Sequence, residues 1–132
     1  VLCTGNSCRS QIAHGFLNYY TDESVKIYSA GIEKHGLNAN AVKSMKEVGI
    51  DISTQTSNKL DEYLDIDFDF IITVCDNANE TCPVFPSNSI KVHKNFKDPT
   101  KVNSGKYGKH FILTRNEIKD FIIQFVNKYL TI

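Results

Sequence analysis

No charge of either sign dominates this chain of 132 residues, in which fifteen lysines and arginines balance fifteen aspartates and glutamates. The basic excess that accompanies non-specific nucleic-acid binding is missing, so a small or locally charged ligand fits the composition better. Long apolar runs are missing as well. None approaches the roughly 20 residues that span a bilayer, and the first residues carry neither the charged start nor the apolar stretch of a secretory signal. The expectation is a soluble cytoplasmic protein with no nucleic-acid or membrane partner. Internal repeats and low-complexity linkers are absent too, and the length suits one domain with a real core but not two. The whole of 1–132 is read as a single domain, expected to be monomeric.

Cysteine spacing of the zinc-binding kind is the last absence. Cys3 and Cys8 lie five residues apart and Cys75 and Cys82 seven, whereas structural zinc sites use C-x2-4-C pairs or a matching histidine pair. A reducing cytosol disfavours structural disulfides, so no metal and no staple is expected, and thiol chemistry is left. A free cysteine can be a small buried hydrophobe. That reading fits Cys82 poorly, because it sits in the polar run DNANETCP.

What is present alternates strand and helix signals. Val1 to Cys3 read as the end of a first strand, KIYSAG (26–31) as a second, and FDFIITVC (68–75) as a third, apolar enough to be buried on both faces. IKVHKNF (90–96) is a shorter, more polar strand nearer an edge. Ile12, Phe16 and Tyr20 mark one helix face, and Val42, Met45 and Val48 another, with Gly49 as its stop. Ile118, Phe121, Ile122, Phe125 and Tyr129 mark the last helix as core, and Thr114 with Glu117 has the form of a capping box at its start. KDPTKVNSGKYGK (97–109) reads as one long, mobile functional loop. The fold class is therefore α/β, a four-stranded parallel sheet flanked by helices. Ligands of such sheets bind beyond the carboxyl ends of the strands, where Cys3, Cys75 and the long loop all fall.

The stretch CTGNSCRS (3–10) carries the chemistry. It is C-x5-R followed by a hydroxyl, set between a strand and a helix. Thr4, Gly5, Asn6, Ser7 and Cys8 are enough to wrap a loop whose N–H groups face a tetrahedral oxyanion, with Gly5 supplying an unusual backbone angle. Arg9 offers a planar fork for two anion oxygens, and Ser10 opens the helix that adds its positive end. The same positive field should make Cys3 a thiolate near neutrality. A plain glycine-containing turn would leave the cysteine, arginine and serine unexplained. Asp65, Asp67 and Asp69 lie before or at the start of the third strand, at the wrong end of the sheet, and read as solvated gatekeepers. Asp76 is a further competing carboxylate. Asp98, restricted by Pro99 to extended angles, is the candidate acid.

CTGNSCRS resembles the active-site loop of the low-molecular-weight protein tyrosine phosphatases and of the thioredoxin-coupled arsenate reductases built on the same fold. The resemblance extends through YSAGIEKHGLNANAV (28–42), DIS (51–53), the Cys75/Cys82 pair and Asp98-Pro99. The loop alone does not choose between phosphatase and reductase. The second cysteine pair does, because the phosphatases lack it and the reductases use it. The resemblance implies that Cys3 attacks arsenate while Asp98 protonates the departing oxygen. Cys75 then releases arsenite by attacking Cys3, Cys82 attacks Cys75, and thioredoxin reduces the resulting disulfide. A phosphate ester would follow only the first half, as in a tyrosine phosphatase. A non-enzymatic oxyanion-binding or redox-sensing module is disfavoured by intact Cys3, Arg9 and Asp98. The reductases of this type bind a monovalent cation near the loop asparagine, here Asn6. The acids they use align with His14 and Asn58, and Ser29 matches the same site, so no potassium cofactor is expected. Cys8 matches a family position without a required role.

Overall fold

Ile12, Ala13, Phe16 and Leu17 recur at helical spacing and all four are buried, which seats helix α1 (Arg9–Tyr20) on the core. The computed structural model describes residues 1–82, 88–102 and 106–130, Thr81 without its side chain. Over these residues the order is β1 (Leu2–Cys3), α1, β2 (Ala30–Gly31), α2 (Ala39–Lys46), β3 (Phe70–Thr73), α3 (Asp76–Thr81), β4 (Ile90–His93) and α4 (Lys109–Tyr129). Short 3-10 turns occur at Leu60–Tyr63 and Pro99–Lys101.

The strands form one parallel sheet in the order β2-β1-β3-β4. The architecture expected from the sequence is therefore the one found. The chain leaves β1 for β2 on one side and returns to β3 on the other, so the point where the order reverses lies between β1 and β3. A crevice opens there at the carboxyl ends. The loop after β1 begins at Cys3, and Cys75 follows β3 by two residues.

Several elements are shorter or shifted against their sequence patterns. The strand signal of KIYSAG contracts to Ala30–Gly31, because β2 is laddered only where β1 runs beside it. Tyr28 instead packs edge-on against Tyr63 and Phe68. FDFIITVC contracts to four residues, and β4 stops at His93, with an exposed pattern that confirms its place at the edge. Helix α2 ends before Val48, which is exposed, and Gly49 at φ +80° lets the Ile50 N–H turn back to the Met45 carbonyl.

The capping box at Thr114 and Glu117 is not a helix start. Helix α4 begins five residues earlier at Lys109, since Phe111 is itself a fully buried core residue and extends the apolar stripe by a turn. Thr114 lies inside the helix, buried, and donates to the Lys97 carbonyl at 3.4 Å. The loop 97–109 contains the Pro99–Lys101 turn, and Tyr107 donates to the Glu47 carboxylate; residues 103–105 lie outside the described ones, as does Pro83 after Cys82. Among the described residues no helix is long and apolar enough to cross a membrane.

Gly31, at the end of β2, is where the sheet comes closest to the loop after β1. A Cβ there would stand 2.3 Å from the Glu33 carbonyl oxygen, 2.7 Å from the Asn6 nitrogen and 2.8 Å from the Thr4 oxygen, all backbone atoms that cannot swing aside. Gly31→Ala should therefore cost about 1–3 kcal/mol by overpacking and weaken oxyanion binding at the same time. Denaturant unfolding together with phosphate titration measures both.

Candidate active site

Between Cys3 and Arg9 the chain makes no repeating structure, so each carbonyl needs its own partner. Each one has it. The Cys3, Thr4 and Gly5 oxygens accept from the N–H groups of Ile32 (3.2 Å), Glu33 (2.8 Å) and His35 (2.9 Å). The Ser7 oxygen accepts from Asn38 N–H at 2.9 Å, and the Asn6 oxygen from the Gln11 side chain at 2.9 Å. A trans peptide points its N–H opposite to its C=O. With the carbonyls tied outward to 31–38 and Gln11, the N–H groups of residues 4–8 turn to the other side, which makes a concave row of donors for an anion.

The left-handed residue of this loop is Asn6 at φ +48°, not Gly5. Asn6 holds that angle because its side chain is fully engaged. Its Oδ1 accepts from Asn58 N–H at 2.8 Å and its Nδ2 donates to Ser10 Oγ at 2.8 Å, with Asn6 and Ser10 both buried. Gly5 instead leaves room for a neighbouring side chain. A Cβ on it would lie 2.1 Å from the His35 ring, which packs against the loop there.

Arg9 starts α1 and is held at two points. Its Nη1 donates to the Phe96 carbonyl at 2.9 Å and its Nη2 lies 3.5 Å from Asp98 Oδ2. Asp98 is fixed in turn as the cap of the 3-10 turn, its Oδ1 accepting from Thr100 N–H at 2.9 Å and Thr100 Oγ1 at 2.6 Å. Pro99 at the first position of that turn has no N–H to satisfy. The carboxyl is thus brought beside the arginine of the loop, while Asp65, Asp67 and Asp69 stay exposed before β3.

Cys75 meets Cys3 at the crevice between β1 and β3. Its sulfur accepts from Cys3, from Thr4 Oγ1 at 3.3 Å and from Ala78 N–H at 3.4 Å, and Arg9 lies close enough to add its charge. These donors, the Cys3 thiol foremost, pull the Cys75 pKa down to about 5. The Cys3 pKa is raised, first because its proton is given to Cys75 and then by burial. The sequence placed the resting thiolate on Cys3. In the structure the two sulfurs titrate as a pair, and the donors from Thr4 and Ala78 favour negative charge on the Cys75 side of it.

The two remaining cysteines differ. Cys8 caps α1, is 4% exposed, and is pushed up to about 12 by burial and then by the Asp98 charge, so it is a poor nucleophile. Cys82 stands at the far end of α3, half-buried, its pKa raised by burial and eased by Lys91. It lies on the polar segment after β3, as the sequence pattern had it, separated from Cys75 by the whole of α3.

Around Asn6 the groups are neutral. His14 shares a 2.7 Å hydrogen bond with Ser29, and burial lowers its pKa to about 4. The Asn58 side chain is engaged by Thr56 and Glu62. Among the described residues no three His, Cys, Asp or Glu side chains gather as metal ligands would. Sequence reasoning missed His93, which bridges Thr73 at 2.7 Å and Asp76 at 2.8 Å beside the cysteines. Its only sequence signal was a histidine in a strand reaching the carboxyl end of the sheet.

The chain has known relatives in sequence and in fold. The family model described as low molecular weight phosphotyrosine protein phosphatase matches residues 1–129. An arsenate reductase of Bacillus subtilis is 46% identical over 126 residues, 94% of this chain and 91% of that protein. Another, of Halalkalibacterium halodurans, is 54% identical over 100 residues, 76% of this chain and 72% of that protein. The solved structure of an arsenate reductase in its phosphate-binding state superposes with TM-score 0.78 at 28% identity, covering 96% of this chain and 94% of that one.

The sulfur pair makes one prediction. On titration of the reduced protein by ultraviolet thiolate absorbance, a single thiolate should form with a midpoint of about 5, and Cys75→Ser should abolish that step. A first midpoint that survives in Cys75→Ser would place the charge on Cys3. Arg9 makes another. Arg9→Lys cannot present two parallel donors, and turnover should fall by roughly 10²–10³, the usual cost of removing a transition-state donor. Steady-state rates of that variant check this.

Proposed function

The chain belongs to the low-molecular-weight phosphotyrosine protein phosphatase family, and within it we propose that it reduces arsenate to arsenite through Cys3, Cys75 and Cys82. The observation that carries this reading is the seating of a second cysteine at the oxyanion loop: β1 and β3 are paired, and the Cys75 sulfur lies 3.3 Å from Oγ1 of Thr4, the residue after Cys3. A phosphatase needs one sulfur there, whereas a reductase needs two within bonding reach.

The oxyanion sits in the row of N–H groups from Thr4 to Cys8 with Arg9 on two of its oxygens, and Ser10 supports the loop through Asn6. Cys3 attacks arsenic and its proton passes to the Cys75 sulfur across their hydrogen bond. Asp98 serves as the general acid for the departing oxygen, which leaves as water. Cys75 then loses its proton again, as its depressed pKa favours, and attacks the Cys3 sulfur. The sulfur–arsenic bond breaks with both electrons going to arsenic, so arsenate has gained two electrons as arsenite and a Cys3–Cys75 disulfide has formed. Cys82 attacks Cys75 and returns Cys3 as a thiolate. An external dithiol of the thioredoxin class then reduces Cys75–Cys82. Cys8 takes no part.

A phosphate ester supports a second reading. Cys3, Arg9 and Asp98 suffice to transfer a phosphoryl group to Cys3, and water completes a slow hydrolysis. No cation enters either path. His14 and Asn58 supply no negative charge beside Asn6, so activity independent of potassium is part of the proposal. The reading is of a cytoplasmic monomer.

The experiment is arsenate-dependent NADPH oxidation with thioredoxin and thioredoxin reductase present. Cys75→Ser should lose this activity and keep aryl-phosphate hydrolysis. Cys82→Ser should give about one arsenite per molecule and stop as a Cys3–Cys75 disulfide, identified by mass spectrometry after alkylation. Sustained reduction by Cys75→Ser, or wild-type cycling by Cys82→Ser, would overturn the relay.

A further inference from the structure

Cys75 and Cys82 flank α3, with Cys75 as its first cap and Cys82 as its last. Seven residues of helix rise roughly 10 Å, whereas a disulfide needs its Cα atoms within about 7 Å. As α3 stands, the two sulfurs cannot join. The helix has to unwind for Cys82 to reach Cys75, and whatever fastens α3 sets the cost of that step.

One fastening comes from β4. Thr73 and His93 are register partners across β3 and β4, and Thr73 Oγ1 bonds His93 Nδ1 at 2.7 Å. On its other side His93 Nε2 reaches Asp76 Oδ1 at 2.8 Å, and Asp76 is the first residue of α3. A carboxylate only accepts, so Nε2 carries a proton. Nδ1 can then accept from the threonine hydroxyl when the ring is neutral, or donate to its oxygen when the ring is charged. Both bonds survive in either state. The Asn95 side chain adds a bond to Asp76 N–H at 3.2 Å, and Asn77 donates to Thr4 Oγ1 at 3.2 Å. The first turn of α3 is thus tied to β4 and to the oxyanion loop.

We propose that His93 is a positioning residue for the second thiol transfer: the Thr73–His93–Asp76 chain latches α3 in its wound form, so that Cys82 is withheld from Cys75 until the helix lets go. The hydrogen bonds of His93 and Asp76 run to Thr73, to each other and to Asn95, none to Cys3 or the oxyanion loop, so the latch is directed at the Cys75-to-Cys82 step. Its use rests on the relay proposed above, but its existence does not, and the test separates the two by replacing arsenate with a chemical dithiol oxidant.

In Asp76→Ala and in His93→Phe, the amides of 78–82 in the reduced protein should exchange with solvent roughly two- to fivefold faster, the range expected for losing one part-exposed polar pair. After addition of oxidant, quenching with an alkylating agent and mass spectrometry should show Cys75–Cys82 forming faster by the same factor, with Cys3–Cys75 forming at the wild-type rate. Asp76→Asn keeps an acceptor for Nε2–H and should stay near wild type in both measurements. Three results would each overturn the latch: unchanged exchange in α3, both disulfides changing rate together, or Asp76→Asn behaving like Asp76→Ala, which would make the effect one of helix-end charge. Failure of arsenate reduction with these results intact would count against the reductase reading alone.

Discussion

The active loop depends on the tying of its carbonyl edge to the segment 31–38. A five-residue turn between strand and helix has no internal ladder to hold it, and an anion site needs several N–H groups aimed at one point before the anion arrives. Here the aim is set from behind. Ile32, Glu33, His35 and Asn38 each hold one loop carbonyl, and the peptide planes do the rest. The closeness of this contact explains Gly31 at the end of β2 and the His35 ring against Gly5. It also explains why the only non-glycine residue with positive φ among the described residues, Asn6, sits in the middle of the loop with both ends of its amide bonded.

The outward tying leaves the chemistry to three groups that come from distant parts of the chain. Arg9 comes with α1, Asp98 with the turn after β4, and Cys75 with the end of β3. They converge because the strand order reverses between β1 and β3, which places the ends of these two strands side by side. Asp98 is anchored through one carboxyl oxygen by Thr100, so that the other is free to face Arg9. Arg9 is braced by the Phe96 carbonyl, and the Phe96 ring is buried against Phe121 of α4. The arginine of the loop is therefore positioned by the hydrophobic core, through a backbone oxygen.

Much of this was legible in the sequence, and the division follows physical range. C-x5-R between a strand and a helix, the third strand's apolar run and the stripe of α4 are local patterns, and each kept its identity in the structure. What was not legible depends on contacts between distant residues. Gly5 looked like the residue needing an unusual angle, yet Asn6 takes it, since only the fold brings Asn58 within reach of its side chain. Cys3 looked like the resting thiolate, yet the donors of the fold favour charge on Cys75 as well, since no spacing shows that Thr4 and Ala78 both reach that sulfur. Thr114 looked like a helix cap because it precedes Glu117 by three, but the buried Phe111 carries the helix past it.

A six-residue helix is too short to hold itself in water, because nucleation is costly and few bonds repay it. Helix α3 must therefore be held by its ends and its neighbours, and one of its holders is the Cys75 sulfur, which accepts from Ala78 N–H. An anionic sulfur is a strong acceptor at a helix N-terminus, where the N–H groups and the dipole favour negative charge. Once Cys75 is bonded to another sulfur, that charge is gone and the cap weakens. In the proposed relay the sulfur that is oxidised to form the first disulfide is thus also a fastening of the helix that separates it from Cys82. Chemistry at Cys75 and unwinding of α3 are coupled through a single sulfur, with the remaining hold on the first turn supplied by β4, by the residue just beyond it and by the oxyanion loop.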